Sequence, residues 1–155
     1  MTKRIPMMII VLSVAAALAA PALATSTEPR SPRQAFSLSD KPADTPYSPA
    51  ILVQGTLFVS GQIPIDPETG KLVGTTMTEQ AERVIRNIEV LCKKAGLDLS
   101  HVVETTAFIT DFAEFGEFNA VFRKLFPTVP PTRATVQVVK LAMGAKIEVS
   151  AIAVR

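Results

Sequence analysis

Residues 130–155 read PPTRATVQVVKLAMGAKIEVSAIAVR, and this stretch decides the fold. Small and β-branched residues dominate it on both sides of a short link at Gly144, a composition typical of two β-strands joined by a turn. Arg133 opens the first run, and Glu148 lies near the start of the second. The stretch therefore predicts an antiparallel pair of strands over 133–139 and 146–154 that carries two opposite charges.

The alternation of side chains along a strand predicts where those charges point. One face of each strand is apolar and is expected to pack against helices. Arg133 and Glu148 should then project together from the opposite side of the sheet, with Glu148 across from Thr135 or Gln137. The apolar faces are Ala134, Val136 and Val138 in the first strand and Ile147, Val149, Ala151 and Ala153 in the second.

The two charges have two possible interpretations at this point. They can form a structural salt bridge, because ion pairs also occur on sheets. Alternatively, Arg133 binds an anion and Glu148 positions or activates a water molecule. A guanidinium group suits the second role, because it grips a carboxylate through two parallel hydrogen bonds that a lysine cannot make.

The N-terminus has the pattern of a secretory signal peptide over residues 1–24. Lys3 and Arg4 precede an apolar run, and small residues follow it. We expect cleavage after Ala24, which predicts a periplasmic or secreted protein with no membrane attachment. A retained membrane anchor is the alternative, although the apolar run is short for a span. Residues 25–33 are polar and proline-rich and predict a flexible tether, which leaves 34–155 as one domain.

Charge and composition exclude several classes of function. The chain has 16 basic and 14 acidic residues, and loss of Lys3 and Arg4 with the leader makes the exported protein formally neutral. Nucleic acid is therefore a poor partner on electrostatic grounds. The single Cys92, the single His101 and the scattered carboxylates make no cluster of metal ligands, so we expect no metal site.

Hydrophobic periodicity predicts the elements that precede the terminal strands. A helix should begin at Thr76, whose spacing from Glu79 fits a capping box, and end near Gly96. Cys92 lies on its apolar stripe and is interpreted as a core residue rather than a catalytic thiol. A second helix should follow Asp111 and pack its phenylalanines into the core. The predicted strands are 34–38, two runs within 51–61 joined at Gln54-Gly55, and 101–110.

The resulting order, β-β-β-α-β-α-β-β, predicts an α+β fold of two layers. Right-handed crossovers place both helices on one face of a single mixed sheet. The other face is left without cover and should carry Val139, Ile152 and Val154 beside polar groups. Because monomers rarely expose such a surface, we expect subunits to associate through it.

Several motifs resemble the RidA/YjgF family of enamine/imine deaminases. They are PYSPA at 46–50, LFVSGQIPIDPETG at 57–70 and, most specifically, Pro-x-Arg followed by a hydrophobic strand and a second strand with Ile-Glu. The resemblance covers about residues 34–155. It implies a chorismate-mutase-like fold and a homotrimer with a cleft at each subunit interface. It also implies hydrolysis of short 2-imino or enamine acids to 2-keto acids and ammonia without a cofactor.

The resemblance also implies roles for individual residues. Arg133 matches the family's clamp for the substrate carboxylate, and Glu148 matches its water-holding carboxylate. Four further residues match the lining of the family's cleft: Tyr47, Ser60, Gly61 and Asn119. Each also has a structural alternative: Tyr47 as a loop anchor, Gly61 as a turn residue and Asn119 as a surface amide. Ser60 is interpreted as structural rather than as a nucleophile, because no base lies at the spacing that a nucleophile needs.

Two positions depart from the family pattern. Thr135 stands where many members have cysteine, which excludes a covalent thiol mechanism there but leaves its backbone amide free to bind substrate. Pro49 stands where glutamine is common, so the rim of the cleft should differ. The alternative function is a non-catalytic trimer of the cell envelope that binds small carboxylates or acts as a chaperone.

Overall fold

A computed structural model describes residues 31–39 and 45–155, and the predicted order of elements is confirmed there. The predicted signal peptide and most of the tether lie outside the described residues. In the part of the chain that the structure describes, neither helix is long and apolar enough to cross a membrane. The strands are β1 (Gln34–Phe36), β2 (Ala50–Val53), β3 (Thr56–Gln62), β4 (Val102–Ile109), β5 (Thr132–Gln137) and β6 (Ile147–Val154), and the helices are α1 (Met77–Lys94) and α2 (Phe115–Leu125).

The strands form one sheet in the order β1-β2-β3-β6-β4-β5. Neighbouring strands are antiparallel except β4 and β5, which run parallel. The tight hairpin between β2 and β3 turns at Gln54 and Gly55, both with positive φ, as the Gln-Gly pair predicted. The sheet is therefore mixed, with β6 inside it and β5 at one edge.

Helix α1 begins with the predicted capping box. The Thr76 hydroxyl accepts a hydrogen bond from the Glu79 backbone at 3.2 Å, and the Glu79 carboxylate accepts one from the Thr76 backbone at 3.1 Å. The helix ends at Lys94, with Ala95 as its C-cap and Gly96 following at φ +74°. The stripe of apolar residues that includes Val84, Ile88 and Cys92 is buried. Periodicity alone therefore predicted this element and its buried face correctly.

Helix α2 carries a row of phenylalanine rings into the core. Phe118 and Phe122 are buried with their ring centroids 5.6 Å apart, and Phe126 lies 4.6 Å beyond Phe122. Such tilted and edge-on pairs are the favoured aromatic geometries. The row continues towards the N-terminal end of the helix through Phe115 and Phe112. Packing was the predicted role of these rings, and it is confirmed for the buried members.

Both helices cover the same face of the sheet, and the other face has no cover among the described residues. The residues of β6 at 147, 149, 151 and 153 are buried beneath the helices. On the opposite side, Phe58 and Val136 are each 47% exposed and Val154 is 41% exposed. We call the side that carries Phe58, Val136, Ile152 and Val154 the open face. Ile152 and Val154 lie on it as predicted, whereas the prediction is wrong for Val139, which lies beyond the end of β5. Association through the open face stays a prediction.

The predicted antiparallel pair at the end of the chain is wrong, because β4 lies between β5 and β6. The connection after β5 passes around the end of β4: the Val138 backbone donates to Ile109 at 2.8 Å, and the Thr110 backbone donates to Lys146 at 3.0 Å. A composition of two strands and a link cannot distinguish a hairpin from a step across one intervening strand. The terminal stretch is therefore two strands of one sheet that do not pair.

The predicted orientation of Arg133 is also wrong. Arg133 is the partner of Thr105 in β4, and Thr105 is buried on the helix side. Arg133 therefore faces the helices, whereas Glu148 is paired with Phe108 and lies on the open side. Ala134 and Val136 point to the open side instead. The error arose from assigning the apolar face of β5 to the helices of its own chain.

Candidate active site

The Arg133 guanidinium lies against the aromatic row of α2. It sits 4.6 Å from the Phe122 ring centroid, 4.8 Å from that of Phe118 and 5.6 Å from that of Phe115. Its Nη2 donates a hydrogen bond of 2.6 Å to Oδ1 of Asn119. Aromatic faces attract a cation through their quadrupole, so the rings and the amide hold the group in place without a negative charge.

Arg133 has no ion pair with any described residue. Burial lowers the pKa of Arg133 below its ordinary value, because the surroundings penalise the charged form. Arginine nevertheless stays protonated in proteins. The structure therefore presents a half-buried positive charge whose fork of donors is only partly used, which is a favourable arrangement for binding an anion.

A cavity of about 540 Å³ opens beside this guanidinium. Cavities of this order are typical of small-molecule sites. No acidic side chain lines it, whereas a second arginine, Arg123, does. Sequence reasoning missed Arg123, although its spacing of one helical turn from Asn119 is a signal that could have found it. The lining consists of Phe115, Asn119, Phe122, Arg123, Phe126, Pro130, Pro131 and Arg133.

Glu148 lies on the open side of β6, tight against Gly61 of β3. A Cβ added at Gly61 would come within 2.8 Å of Cδ of Glu148 and would collide with its Oε1. Only glycine therefore leaves room for this carboxylate in its position. No hydrogen bond or ion pair ties Glu148 to another described residue, so its oxygens are available to a ligand or a water molecule.

The loop that precedes β2 packs beside Gly61. The Ser60 hydroxyl donates to the Ser48 carbonyl at 2.8 Å, and the Ser60 backbone donates to the Pro49 carbonyl at 2.9 Å. This bonding fits the structural interpretation of Ser60 rather than a nucleophile. Tyr47 is 58% exposed, and together with Gly61 it lines a second cavity, of about 390 Å³.

Three further residues that the sequence singled out are Thr135, Cys92 and His101. Thr135 shares the helix-side face of β5 with Arg133, and its Oγ1 is buried without a hydrogen-bond partner among the described residues. Burial raises the pKa of Cys92 to about 11, so its thiol is inert at neutral pH. His101 Nδ1 lies 2.9 Å from Oδ1 of Asp98 in a short turn before β4.

The predicted site residues thus form two groups on opposite sides of the sheet. We call Asn119, Arg133 and Thr135 the arginine half-site, and Tyr47, Ser60, Gly61 and Glu148 the glutamate half-site. One chain does not bring the two half-sites together, and Arg133 makes no salt bridge with Glu148 within it. Among residues 31–39 and 45–155, no group of three or more His, Cys, Asp or Glu is arranged to hold a metal ion.

Comparison with known proteins identifies the family. The sequence profile described as Endoribonuclease L-PSP matches residues 38–155. The RutC family protein y4sK of Sinorhizobium fredii is 44% identical over 118 residues, which cover 76% of this chain and 94% of that protein. The 2-iminobutanoate/2-iminopropanoate deaminase of Rattus norvegicus is 40% identical over 124 residues, covering 79% of this chain and 90% of the relative.

Solved structures show the same fold. The Rid family protein YyfA of Yersinia pestis matches with a TM-score of 0.75 at 35% identity, over 80% of this chain and all of that one. TdcF of E. coli, solved with bound serine, matches with a TM-score of 0.72 at 33% identity, over 78% of this chain and 97% of that one. The mixed sheet with two helices on one face is the chorismate-mutase-like α+β fold. The chain therefore belongs to the RutC/RidA (L-PSP) family.

Proposed function

We propose that the protein hydrolyses short 2-imino and enamine acids to 2-keto acids and ammonia, in clefts that two subunits complete together. The observation that carries the proposal is the Arg133 guanidinium, which is half-buried, unpaired by any described carboxylate and open to a cavity of about 540 Å³. A group so placed favours a ligand carboxylate, which a 2-imino acid supplies. Relatives named for the deaminase reaction support the choice of substrate.

The position of Glu148 supports a cleft shared between subunits. Arg133 and Glu148 are on opposite sides of the sheet, so a single substrate can reach both only when the second residue comes from another copy of the chain. The open face carries Glu148 together with exposed Phe58 and Val154, which is the kind of surface that a subunit covers. In such a contact the arginine half-site of one copy meets the glutamate half-site of the next, so the two contacting surfaces differ. A closed ring of three copies repeats this contact three times and forms three equivalent clefts.

The proposed chemistry requires positioning and proton transfer. Arg133 holds the carboxylate, and the protonated imine carbon is attacked by a water oxygen that Glu148 orients. Glu148 accepts the proton that the water loses and returns it to nitrogen. The C–N bond of the resulting carbinolamine then breaks and ammonia leaves, while the hydroxyl group gives its proton to Glu148 and the C=O bond of the 2-keto acid forms. No step oxidises or reduces the substrate, and none uses a cofactor.

The test is complementation between two inactive variants. Arg133→Ala and Glu148→Gln should each abolish most hydrolysis of 2-iminobutanoate and 2-iminopropanoate generated in situ. Mixed trimers of the two variants should regain about a quarter of wild-type activity, because random mixing leaves one interface in about four with an intact arginine facing an intact glutamate. Mixing that restores nothing would refute the shared cleft, and a single variant that keeps wild-type activity would show that its residue is not needed.

A control separates this function from a non-catalytic trimer that binds carboxylates. Such a protein would bind 2-ketobutyrate in a calorimeter but would leave the lifetime of the imine unchanged. Turnover that depends on both Arg133 and Glu148 excludes it. Because the profile that matches this chain is named for an endoribonuclease, the assay should include RNA. We expect no cleavage, since the chain carries a formal net charge of only +2.

A further inference from the structure

Two arginines line the cavity of the arginine half-site, and the proposed function uses only one of them. Arg123 belongs to α2, one helical turn beyond Asn119, whose amide oxygen binds Arg133. It is exposed, and it makes no hydrogen bond or ion pair with a described residue. The neighbouring Lys124, by contrast, is paired with Glu82 at 2.7 Å. Arg123 is therefore a free positive charge at the wall of the same cavity.

We infer that this cavity selects imino acids that carry a second anionic group, such as 2-imino dicarboxylates. The inference rests on the proposed function, because it assigns the 2-carboxylate to Arg133; the second carboxylate then lies towards Arg123. Two guanidinium groups and no acidic side chain line the cavity, so a dianion meets attraction at both ends. A volume of about 540 Å³ leaves room for a substrate longer than a three-carbon acid.

The aromatic rings make this division of roles possible. Phe115, Phe118 and Phe122 hold the Arg133 guanidinium, so its direction is set before a ligand arrives. Arg123 has no such support and can adapt to substrates of different length. Arg133 therefore binds the carboxylate at the reacting end of the substrate, and Arg123 binds the second carboxylate at the other end.

The binding test uses the product analogues 2-ketoglutarate and 2-ketobutyrate in calorimetry on the wild-type protein. We expect 2-ketoglutarate to bind more tightly. Arg123→Gln should weaken its binding about three- to fivefold, the size of a contact between exposed charges, and should affect 2-ketobutyrate less. The preference should shrink as salt is raised, because screening weakens an exposed charge pair. Lys124→Gln is the matched control: it removes one positive charge from the next position of the helix, outside the cavity lining, and should keep the preference.

The kinetic test compares hydrolysis of 2-iminoglutarate with that of 2-iminobutanoate, both generated in situ. Hydrolysis of 2-iminobutanoate with no preference for the dicarboxylate would overturn this inference and leave the proposed function intact. Selective binding of 2-ketoglutarate that depends on Arg123, in a protein that hydrolyses neither imine, would refute the proposed reaction and keep the site. An Arg123→Gln variant whose only change is weaker subunit association would assign Arg123 to the interface and overturn the inference.

Discussion

Strands β5 and β6 both alternate polar and apolar residues, but they turn opposite sets towards the helices. In β6, Val149 and Ala151 are buried beneath the helices and Glu148 points away from them. In β5, Arg133 faces the helix side and Val136 is exposed on the other. The interior strand packs against α1 and must bury its apolar set, whereas the edge strand borders a cavity and can place a charge over the aromatic row.

Alternation of polar and apolar residues therefore identifies the two faces of a strand but not which face meets the helices. The elements that pack against the strand determine its orientation. The reversal in β5 separates Arg133 from Glu148 by the thickness of the sheet, and it also leaves Ala134 and Val136 on the open face. Both consequences favour association of subunits. A second copy of the chain that covers the open face would bury its apolar residues and could also place its Arg133 near Glu148 of the first copy.

The largest expected effect comes from a charge on the open face, which should disable both half-sites at once. Val154→Asp places a carboxylate at the end of β6, where a partner subunit would bury it. An unpaired buried charge costs several kcal/mol, so the proposed trimer should dissociate at micromolar concentration and the proposed imine hydrolysis should be lost. Light scattering measures the mass. Val129→Asp, at a loop position that is 82% exposed, is the control and should leave the mass unchanged.

A wild-type protein that remains monomeric at that concentration contradicts the shared cleft. Activity in such a monomer would be still more damaging, because Arg133 and Glu148 cannot meet within one chain.

The second prediction removes the charge of β5 alone. Arg133→Ala should lower kcat/KM by about 10- to 150-fold, which corresponds to the roughly 1.5–3 kcal/mol of a hydrogen bond to a charged group. The thermal midpoint should change little, because no described carboxylate loses its partner. Arg133→Lys should restore activity only in part, since it keeps the charge but not the fork. Arg86→Ala, which breaks a surface pair with Glu89, is the matched control and should keep wild-type kinetics. Near-native activity in a folded Arg133→Ala protein would refute the role of Arg133.

The third prediction disturbs Glu148 without changing it. Gly61→Ala would force the carboxylate aside, because the new Cβ occupies its place. The carboxylate is the end of a flexible side chain, so the fold should tolerate the change, while kcat falls about tenfold and the binding of 2-ketobutyrate changes less. Gly116→Ala is the control. Gly116 lies in α2, and a Cβ added there would contact no neighbouring element within 4 Å. The variant should therefore raise the free energy of unfolding by about 0.5–1 kcal/mol, because alanine favours a helix more than glycine does. A Gly61→Ala variant with unchanged kcat would show that the position of Glu148 does not matter.

Much of the fold follows from local patterns in the sequence. The capping box at Thr76, the stripe through Val84 and Ile88 and the Gln54-Gly55 turn each depend on contacts between residues close in the chain. Such contacts can be recognised from spacing alone. The order of elements and the two-layer class follow from them, and both are confirmed.

The pairing of the last two strands could not be predicted in this way. Whether β5 pairs with β6 or steps across β4 depends on residues about thirty positions earlier, such as Thr105 opposite Arg133, and no local pattern encodes that register. The half-sites show the same limit. The sequence identified Arg133 and Glu148 as candidate site residues. Only the structure showed that they lie on opposite sides of the sheet and that Arg123 lines the cavity.

The smallest expected effect concerns the turn that leads into β4, the strand between β5 and β6. Asp98 accepts hydrogen bonds from the Ser100 hydroxyl and backbone and lies beside His101, and these contacts, with the Ser100 hydroxyl first, lower the pKa of Asp98 from 3.8 to about 2. A carboxyl whose folded pKa is depressed contributes stability above its unfolded pKa and loses it as the pH falls through the folded value. Asp98→Asn should therefore lower the thermal midpoint slightly at pH 7, and the difference should shrink as the pH falls from 3.8 and disappear below about pH 2. Ser100→Ala should reproduce part of the effect. A difference that persists well below pH 2 would contradict this account, and a loss of wild-type activity well above pH 3.8 cannot come from Asp98.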